Sequence, residues 1–334
     1  MKKFISVILA AIMTAGCLTA CGGSSTAEAA NKDRLQIVTT IFPEYDWVMS
    51  VLGDNPAGAE VTLLLDNGVD LHSYQPTAND IHKISACDMF IYVGGESDEW
   101  VDDVLKEAEN KNMTVINLLD VLGDSIKEEE VVEGMQEDEH EHEEEGEDEH
   151  EHEEEIEYDE HVWLSLRNAS VLTGHISEEL QRIDAANAET YKKNSAAYAE
   201  KLADLDKRYT DAVSNASFNT LLFGDRFPFR YLTDDYDLSY YAAFVGCSAE
   251  TEASFETIMF LAGKTDELSL PAVMTIEGSD HKIAKTIVQN TESKDQEILT
   301  MDSMQSTTSK DVENGKTYLS VMEDNLSVLK EALK

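Results

Sequence analysis

His72, His161, Asp225 and Asp302 are the residues of this 334-residue chain whose types and settings could act together. Two imidazoles and two carboxylates form a closed nitrogen and oxygen set suited to a divalent transition metal. Each is expected where a strand gives way to a loop. His72 lies in the turn-rich stretch 66–76, after an apolar run at 60–65. His161 stands just before Val162, Trp163 and Leu164, residues that favour burial. Asp225 follows an expected strand at 219–223, and Asp302 one at 298–301. No catalytic residue is assigned.

A second source of ligands precedes His161. The nonapeptide Glu-Asp-Glu-His-Glu-His-Glu-Glu-Glu runs from Glu137 to Glu145 and repeats from Glu147 to Glu155. Such a tract cannot build a core, because nearly every side chain would lose its hydration. Charge runs usually only solubilise. Here the paired histidines, His140 with His142 and His150 with His152, add imidazole to carboxylate, and weak, exchangeable metal capture is the expected role. His82, His175 and His281 read as structural or solvated, and Glu277 as a strand-end residue.

Enzyme motifs are missing. Gly263-Lys264-Thr265 matches the end of a phosphate loop, but Ile258 occupies the required upstream glycine position. There is no Gly-x-Ser-x-Gly, and His161 is not part of His-Glu-x-x-His. The chain is therefore expected to be a binding protein rather than a catalyst.

The elements that must position these residues alternate. Strands are expected at 35–40, 60–65, 89–93 and 113–118, with helices at 44–52, from an N-cap at Thr77 to 85, and at 98–108. A helix at 168–183 precedes a longer one at 185–214, which has Tyr191, Tyr198, Leu202, Leu205 and Tyr209 at helical spacing and neither Gly nor Pro. At this length it would span about 45 Å. Alternation resumes with strands at 219–223, 239–245, 271–276 and 298–301 and helices at 255–262, 282–289 and 318–333. The fold class is α/β, with two lobes of mostly parallel sheet flanked by helices and joined by one long rigid helix. The first lobe is placed at 34–166, including a disordered acidic His-rich loop at 128–157. The two helices occupy 167–215, and the second lobe 216–334. A ligand belongs in the crevice between the lobes, beyond the carboxyl ends of the strands.

Charge and targeting narrow the class. The net charge is −43, of which the 21 acidic residues between Glu128 and Glu160 account for nearly half. The remainder is still acidic, which excludes nucleic acid and suits a cationic ligand. Lys2 and Lys3 precede an apolar run at 4–15, a secretion signal too short to span a membrane. Leu18-Thr19-Ala20-Cys21 resembles a bacterial lipobox. It implies a signal peptide at 1–20, lipid on Cys21 and a flexible tether at 21–33. Cys87 and Cys247 remain; neither lies in a Cys-x-x-Cys, and both read as small buried residues.

Asp70-Leu71-His72-Ser73-Tyr74-Gln75-Pro76-Thr77 and Glu160-His161-Val162-Trp163-Leu164, together with the acidic histidine tract, resemble the solute-binding lipoproteins of bacterial zinc and manganese ABC importers. The likeness extends to the segment 184–213, to 248–254 with Glu252, and to 318–329. It implies an extracytoplasmic, lipid-anchored receptor that delivers metal to a membrane permease with its cytoplasmic ATPase. It also implies four ligands. The first two map onto His72 and His161, and the fourth, an Asp after a late strand, onto Asp302. The third falls near Asp225, where Gly224-Asp225-Arg226-Phe227-Pro228-Phe229-Arg230-Tyr231 departs from the family pattern by about one residue. Two carboxylates resemble the manganese type, whereas the His-Glu-His repeats resemble the zinc type. Zinc is the expected cargo, with manganese, or a surface adhesin holding a structural metal, as alternatives.

Overall fold

The computed structural model describes residues 34–136, 157–248, 252–278 and 280–334. The first lobe contains β1 (Gln36–Thr39), α1 (Phe42–Leu52), β2 (Glu60–Leu63), α2 (Ala78–Ala86), β3 (Met89–Tyr92), α3 (Trp100–Lys106), β4 (Thr114–Asn117) and α4 (Leu118–Leu122). Two helices follow, α5 (Leu166–Ile183) and α6 (Ala188–Ser214). The second lobe contains β5 (Thr220–Phe227), α7 (Arg230–Asp235), β6 (Ser239–Val245), α8 (Phe255–Glu267), β7 (Ala272–Ile276), α9 (Lys282–Asn290), β8 (Glu297–Met301), α10 (Ser309–Glu313) and α11 (Tyr318–Ala332).

Each lobe holds a four-stranded sheet in which every pairing is parallel, ordered β2-β1-β3-β4 in the first and β6-β5-β7-β8 in the second. Parallel sheets are covered on both faces, so their central strands read as unbroken apolar runs. β3 (Met-Phe-Ile-Tyr) and β7 (Ala-Val-Met-Thr-Ile) are buried at every position. The helices start where hydroxyl caps appear. Thr77 accepts from the Asp80 N–H with a reciprocal capping box, Ser165 accepts from Asn168 and Ser254 from Thr257.

The 27-residue α6 packs along α5 and reaches both lobes. Asn194 Nδ2 donates to the Val51 carbonyl of α1 at 2.9 Å, and Tyr209 Oη donates to the Met322 carbonyl of α11 at 2.6 Å. The lobes also meet directly. Trp47 of α1 stands edge-on to Tyr318 of α11, with ring centroids 5.3 Å apart. Tyr318 Oη donates to the Trp163 carbonyl at 2.7 Å, and Trp163 Nε1 donates to the Ser303 carbonyl at 2.9 Å. All four of these residues are at most 0 % exposed. The apolar run after His161 therefore seats that histidine against the second lobe.

Two expectations change. β5 does not stop at Phe223: its pairing with β6 shifts register between Phe223 and Arg226 and then resumes, with Arg226 opposite Phe244. Asp225 therefore lies within a strand at an irregularity, not at a strand exit. Gly224 permits this, since a Cβ there would stand 2.6 Å from the Ala284 Cα of α9. The first part of the acidic tract is also built into the fold. Glu129 N donates to the Glu157 carbonyl and Gln136 N to the Ala243 carbonyl, while Val132 and Met135 pack on the core. Residues 137–156, with His140, His142, His150 and His152, lie outside the described residues, as do Cys21 and the signal and tether segments.

Candidate metal centre

His72 sits in a single 3-10 turn, Leu71–Ser73, just after β2. Asp70 opens that turn: its Oδ1 accepts from the His72 N–H at 3.1 Å, and its other oxygen is ion-paired with the Arg226 guanidinium of β5. Arg226 thus ties the His72 turn to the second lobe. His161 precedes the 3-10 turn Val162–Leu164, is fully buried, and packs its ring 5.3 Å from that of Trp163.

The two histidines meet Nε2 to Nε2 at 3.1 Å. Their opposite nitrogens are held from behind. His72 Nδ1 is 2.8 Å from Ser97 Oγ and 3.5 Å from Glu160 Oε2, while the second Glu160 oxygen accepts from the Ser97 N–H at 2.9 Å. His161 Nδ1 lies 3.1 Å from Asp159 Oδ1, which also accepts from the His161 N–H at 2.8 Å. The Asp159 carboxylate can only accept, so it places the His161 proton on Nδ1 and leaves His161 Nε2 with a lone pair, whereas the Ser97 hydroxyl behind His72 can donate or accept. Carboxylates behind ligating imidazoles serve the same purpose in metal sites. The Nε2–Nε2 contact is within hydrogen-bond range, with His72 Nε2–H donating to His161 Nε2 when the Ser97 hydroxyl donates to His72 Nδ1. Burial first, and then the adjacent His161 ring, hold His72 well below the usual imidazole range.

The expected carboxylates are engaged elsewhere. Asp225 Oδ2 accepts from the Ile276 N–H at 3.3 Å and its Oδ1 from the Arg226 N–H at 3.0 Å. Asp302 pairs with Lys316 Nζ at 2.7 Å and accepts from the Met304 N–H at 2.8 Å. Among the described residues, one ligand atom from each of His72, His161 and Cys247 lies within 4.8 Å of the others; Asp225 and Asp302 are outside that group. Glu277, read from the sequence as a bland strand-end residue, binds the Ser303–Gln305 loop: its oxygens accept from Ser303 N, Ser303 Oγ and Gln305 N. Burial first, then the Asp302 charge, raises its carboxyl above the usual range. His82 is exposed, and His175 and His281 are partly buried; none belongs to the cluster.

Sequence reasoning missed Gln305 and Cys247. The Gln305 side chain is buried, with one amide atom 3.3 Å from His72 Nε2 and the other 3.2 Å from His161 Nε2. Its sequence signal is its place just past the β8 exit. Cys247 lies two residues beyond the end of β6, the kind of strand exit used to select the other candidates, but the absence of Cys-x-x-Cys led it to be set aside. Cys247 borders a cavity of about 240 Å³ together with His72, Ser97, Glu129 and Glu160, an almost wholly acidic and metal-ligating wall.

The profile of the ZnuA family, the zinc-uptake complex component A periplasmic, matches residues 37–332. The chain belongs to this family. Among ZnuA-family relatives it is 33% identical over 333 residues to the zinc-binding lipoprotein AdcA of Streptococcus pneumoniae strain R6, covering 99% of this chain and 61% of AdcA. It therefore spans about three fifths of the length of that relative. It is 30% identical over 318 residues to the high-affinity zinc uptake system protein ZnuA of Bacillus subtilis strain 168, covering 95% of this chain and 93% of ZnuA. The crystal structure of the Zn(II)-bound ZnuA-like domain of S. pneumoniae AdcA superposes with a TM-score of 0.68 at 29% identity, covering 90% of this chain and 99% of that one. The paired parallel lobes and the long α6 are thus ZnuA-family architecture, and the two facing histidines lie where the lobes meet.

Proposed function

We propose that this chain is an extracytoplasmic receptor that captures zinc between its lobes and delivers it to the permease and ATPase of an ABC importer. His72 and His161 form the core of the site, with Asp225 and Asp302 as the carboxylates proposed to complete it. Each carboxylate would have to exchange a present partner for the ion: Asp302 its Lys316 ammonium, Asp225 its Ile276 N–H. The observation that carries the reading is the convergence of two Nε2 atoms at 3.1 Å, each imidazole held by a polar group behind it. Two nitrogens bound to one tetrahedral zinc at 2.0–2.1 Å would stand about 3.3 Å apart. This spacing therefore needs almost no rearrangement to hold the ion. Buried imidazole also favours zinc over manganese, which prefers harder oxygen ligands.

Cys21 serves as the lipid anchor, and His140, His142, His150 and His152 as an exchangeable antechamber for zinc. A receptor requires a filled coordination shell, whereas a catalytic zinc keeps a position open, so no enzymatic role is proposed. Names of relatives that bind or take up zinc support this reading. The test is metal analysis after loading a chain from which 137–156 has been removed, with zinc and manganese in competition. One tightly held zinc per chain is expected, lost in both His72→Ala and His161→Ala. Retention of that ion by either variant, or preferential loading of manganese, overturns the proposal.

A further inference from the structure

We infer that the thiolate of Cys247 is the third ligand, which puts one sulfur beside the two nitrogens in place of the Asp225 carboxylate and leaves the fourth position to Asp302. This inference rests on the zinc reading above and names the donor set of that site. Cys247 offers a ligand atom within 4.8 Å of those of His72 and His161, and no other described residue completes such a group with both imidazoles. It is also held in place. A Cβ on Gly246 would come within 2.9 Å of His161 Cε1, 2.9 Å of the Phe227 carbonyl oxygen and 3.0 Å of His161 Nδ1. Glycine at that position lets the end of β6 pass flush against the imidazole, which delivers the next side chain to the His161 ring. From the other side, Glu129 Oε1 accepts from the Cys247 N–H at 3.3 Å.

The thiol has no competing partner of its own kind. Both described cysteines are free, and Cys87 is buried in the first lobe with its sulfur 3.3 Å from that of Met113. On binding, the Cys247 S–H would release its proton to solvent as the sulfur–zinc bond forms, and no electrons are transferred. A soft thiolate beside two imidazoles strengthens the preference for zinc over manganese. Its sulfur would exchange a hydrogen bond with the Glu129 carboxylate for the ion, where Asp302 would have to give up an ion pair with Lys316.

Cobalt(II) reports the donor set directly, because thiolate ligation adds a sulfur-to-metal charge-transfer band that histidine and carboxylate do not. The full chain titrated with cobalt(II) under reducing conditions is expected to develop that band, saturating at one equivalent. Cys247→Ser is expected to lose the band while still binding cobalt, and to hold zinc on the order of 100-fold more weakly, at the upper end of what loss of outer-shell partners alone costs. Cys87→Ala is expected to keep the band. A chain that binds one cobalt without the band, or a Cys247→Ser variant that keeps it, overturns the thiolate assignment while leaving the histidine site intact. Failure of the histidine site shows differently, as His72→Ala binding cobalt like the unchanged chain. If Cys247→Ser does not fold, X-ray absorption at the zinc edge of the unchanged protein decides: one sulfur neighbour at about 2.3 Å is expected, and a shell of nitrogen and oxygen only refutes it.

Discussion

His72 and His161 are separated by 89 positions in the chain, yet their Nε2 atoms stand 3.1 Å apart in the crevice between two sheets. Neither imidazole is free to turn away. Ser97 and Glu160 hold the first from behind and Asp159 holds the second, so the protein's own contacts orient the pair. Preorganisation of this kind lowers the ordering cost that binding must otherwise offset.

That arrangement predicts a graded effect of removing the supports. Asp159→Asn can still accept through its amide oxygen but loses its charge, and is expected to weaken zinc binding by about 10-fold. Asp159→Ala is expected to weaken it by about 100-fold, within the range for outer-shell partners. Competition against a chelator of known affinity measures both. Equal affinities in the two variants and the unchanged protein would contradict the role given to Asp159.

Gly246 predicts a coupled loss. In Gly246→Ala the new methyl group meets the His161 ring and a backbone carbonyl, neither of which can yield cheaply. A stability cost of about 1–3 kcal/mol is expected from overpacking. Urea denaturation of the metal-free variant reads the stability, and calorimetry with zinc should show weaker binding. An unchanged zinc affinity would mean that the ring has room to move.

Stability of the metal-free chain should fall as pH rises. The buried carboxyl of Glu44 is raised from 4.5 to about 8, by desolvation and then by Asp98; that of Asp98 is raised from 3.8 to about 7, chiefly by desolvation. A carboxyl with a raised folded-state pKa keeps its proton in the native chain after the unfolded chain has lost it. The unfolded state therefore binds fewer protons between the two values, and folding weakens as pH climbs from about 4.5 to about 8. Glu44→Gln removes one titration and keeps an oxygen that can accept from Thr40 N. Urea midpoints across this window, measured with chelator present, should decline less steeply in the variant. A parallel decline would contradict the prediction.

The tract should act at the margin of the site. Removal of 137–156 is expected to leave the single tight zinc in place and to abolish the weaker binding beyond it. That weaker capture should fade between neutral and mildly acid pH, since protons compete with the metal for imidazole. Equilibrium dialysis at the two pH values separates the classes. Loss of the tight ion on deletion would place the cleft and the tract in one site.

Tyr209 tests the long helix. Tyr209→Phe leaves the Met322 carbonyl without its donor in a buried setting and is expected to cost about 1–3 kcal/mol. The urea midpoint should fall with an unchanged slope, the sign of a local loss rather than a change in the unfolded chain.

Much of this architecture was legible in the sequence because it follows from pattern. Apolar runs marked the eight strands found among the described residues, and the Thr77 cap and the tyrosine spacing of α6 marked those two helices close to their observed ends. The histidines were legible because each sits in a motif beside a sharp change of composition. What could not be read was pairing in space. Lys316 neutralises Asp302 from 14 positions away, and Arg226 turns from Asp225 to Asp70 in the other lobe. No linear pattern reports such partners. Cys247 and Gln305 escaped for the converse reason: each is a single unremarkable letter, made relevant only by a glycine that lets a strand pass close and by a loop that folds over two rings.

α6 fixes the two lobes to each other. Fastened to the first lobe at Asn194 and to the second at Tyr209, it makes the molecule a beam rather than a jaw. On the proposed function, an ion held at the lobe boundary would leave by the swing of a turn as short as Leu71–Ser73 rather than by a parting of the lobes. The Asp70–Arg226 pair crosses that boundary like a bolt, and it must part together with the His72 contacts to Ser97 and Glu160 before the His72 turn is loose.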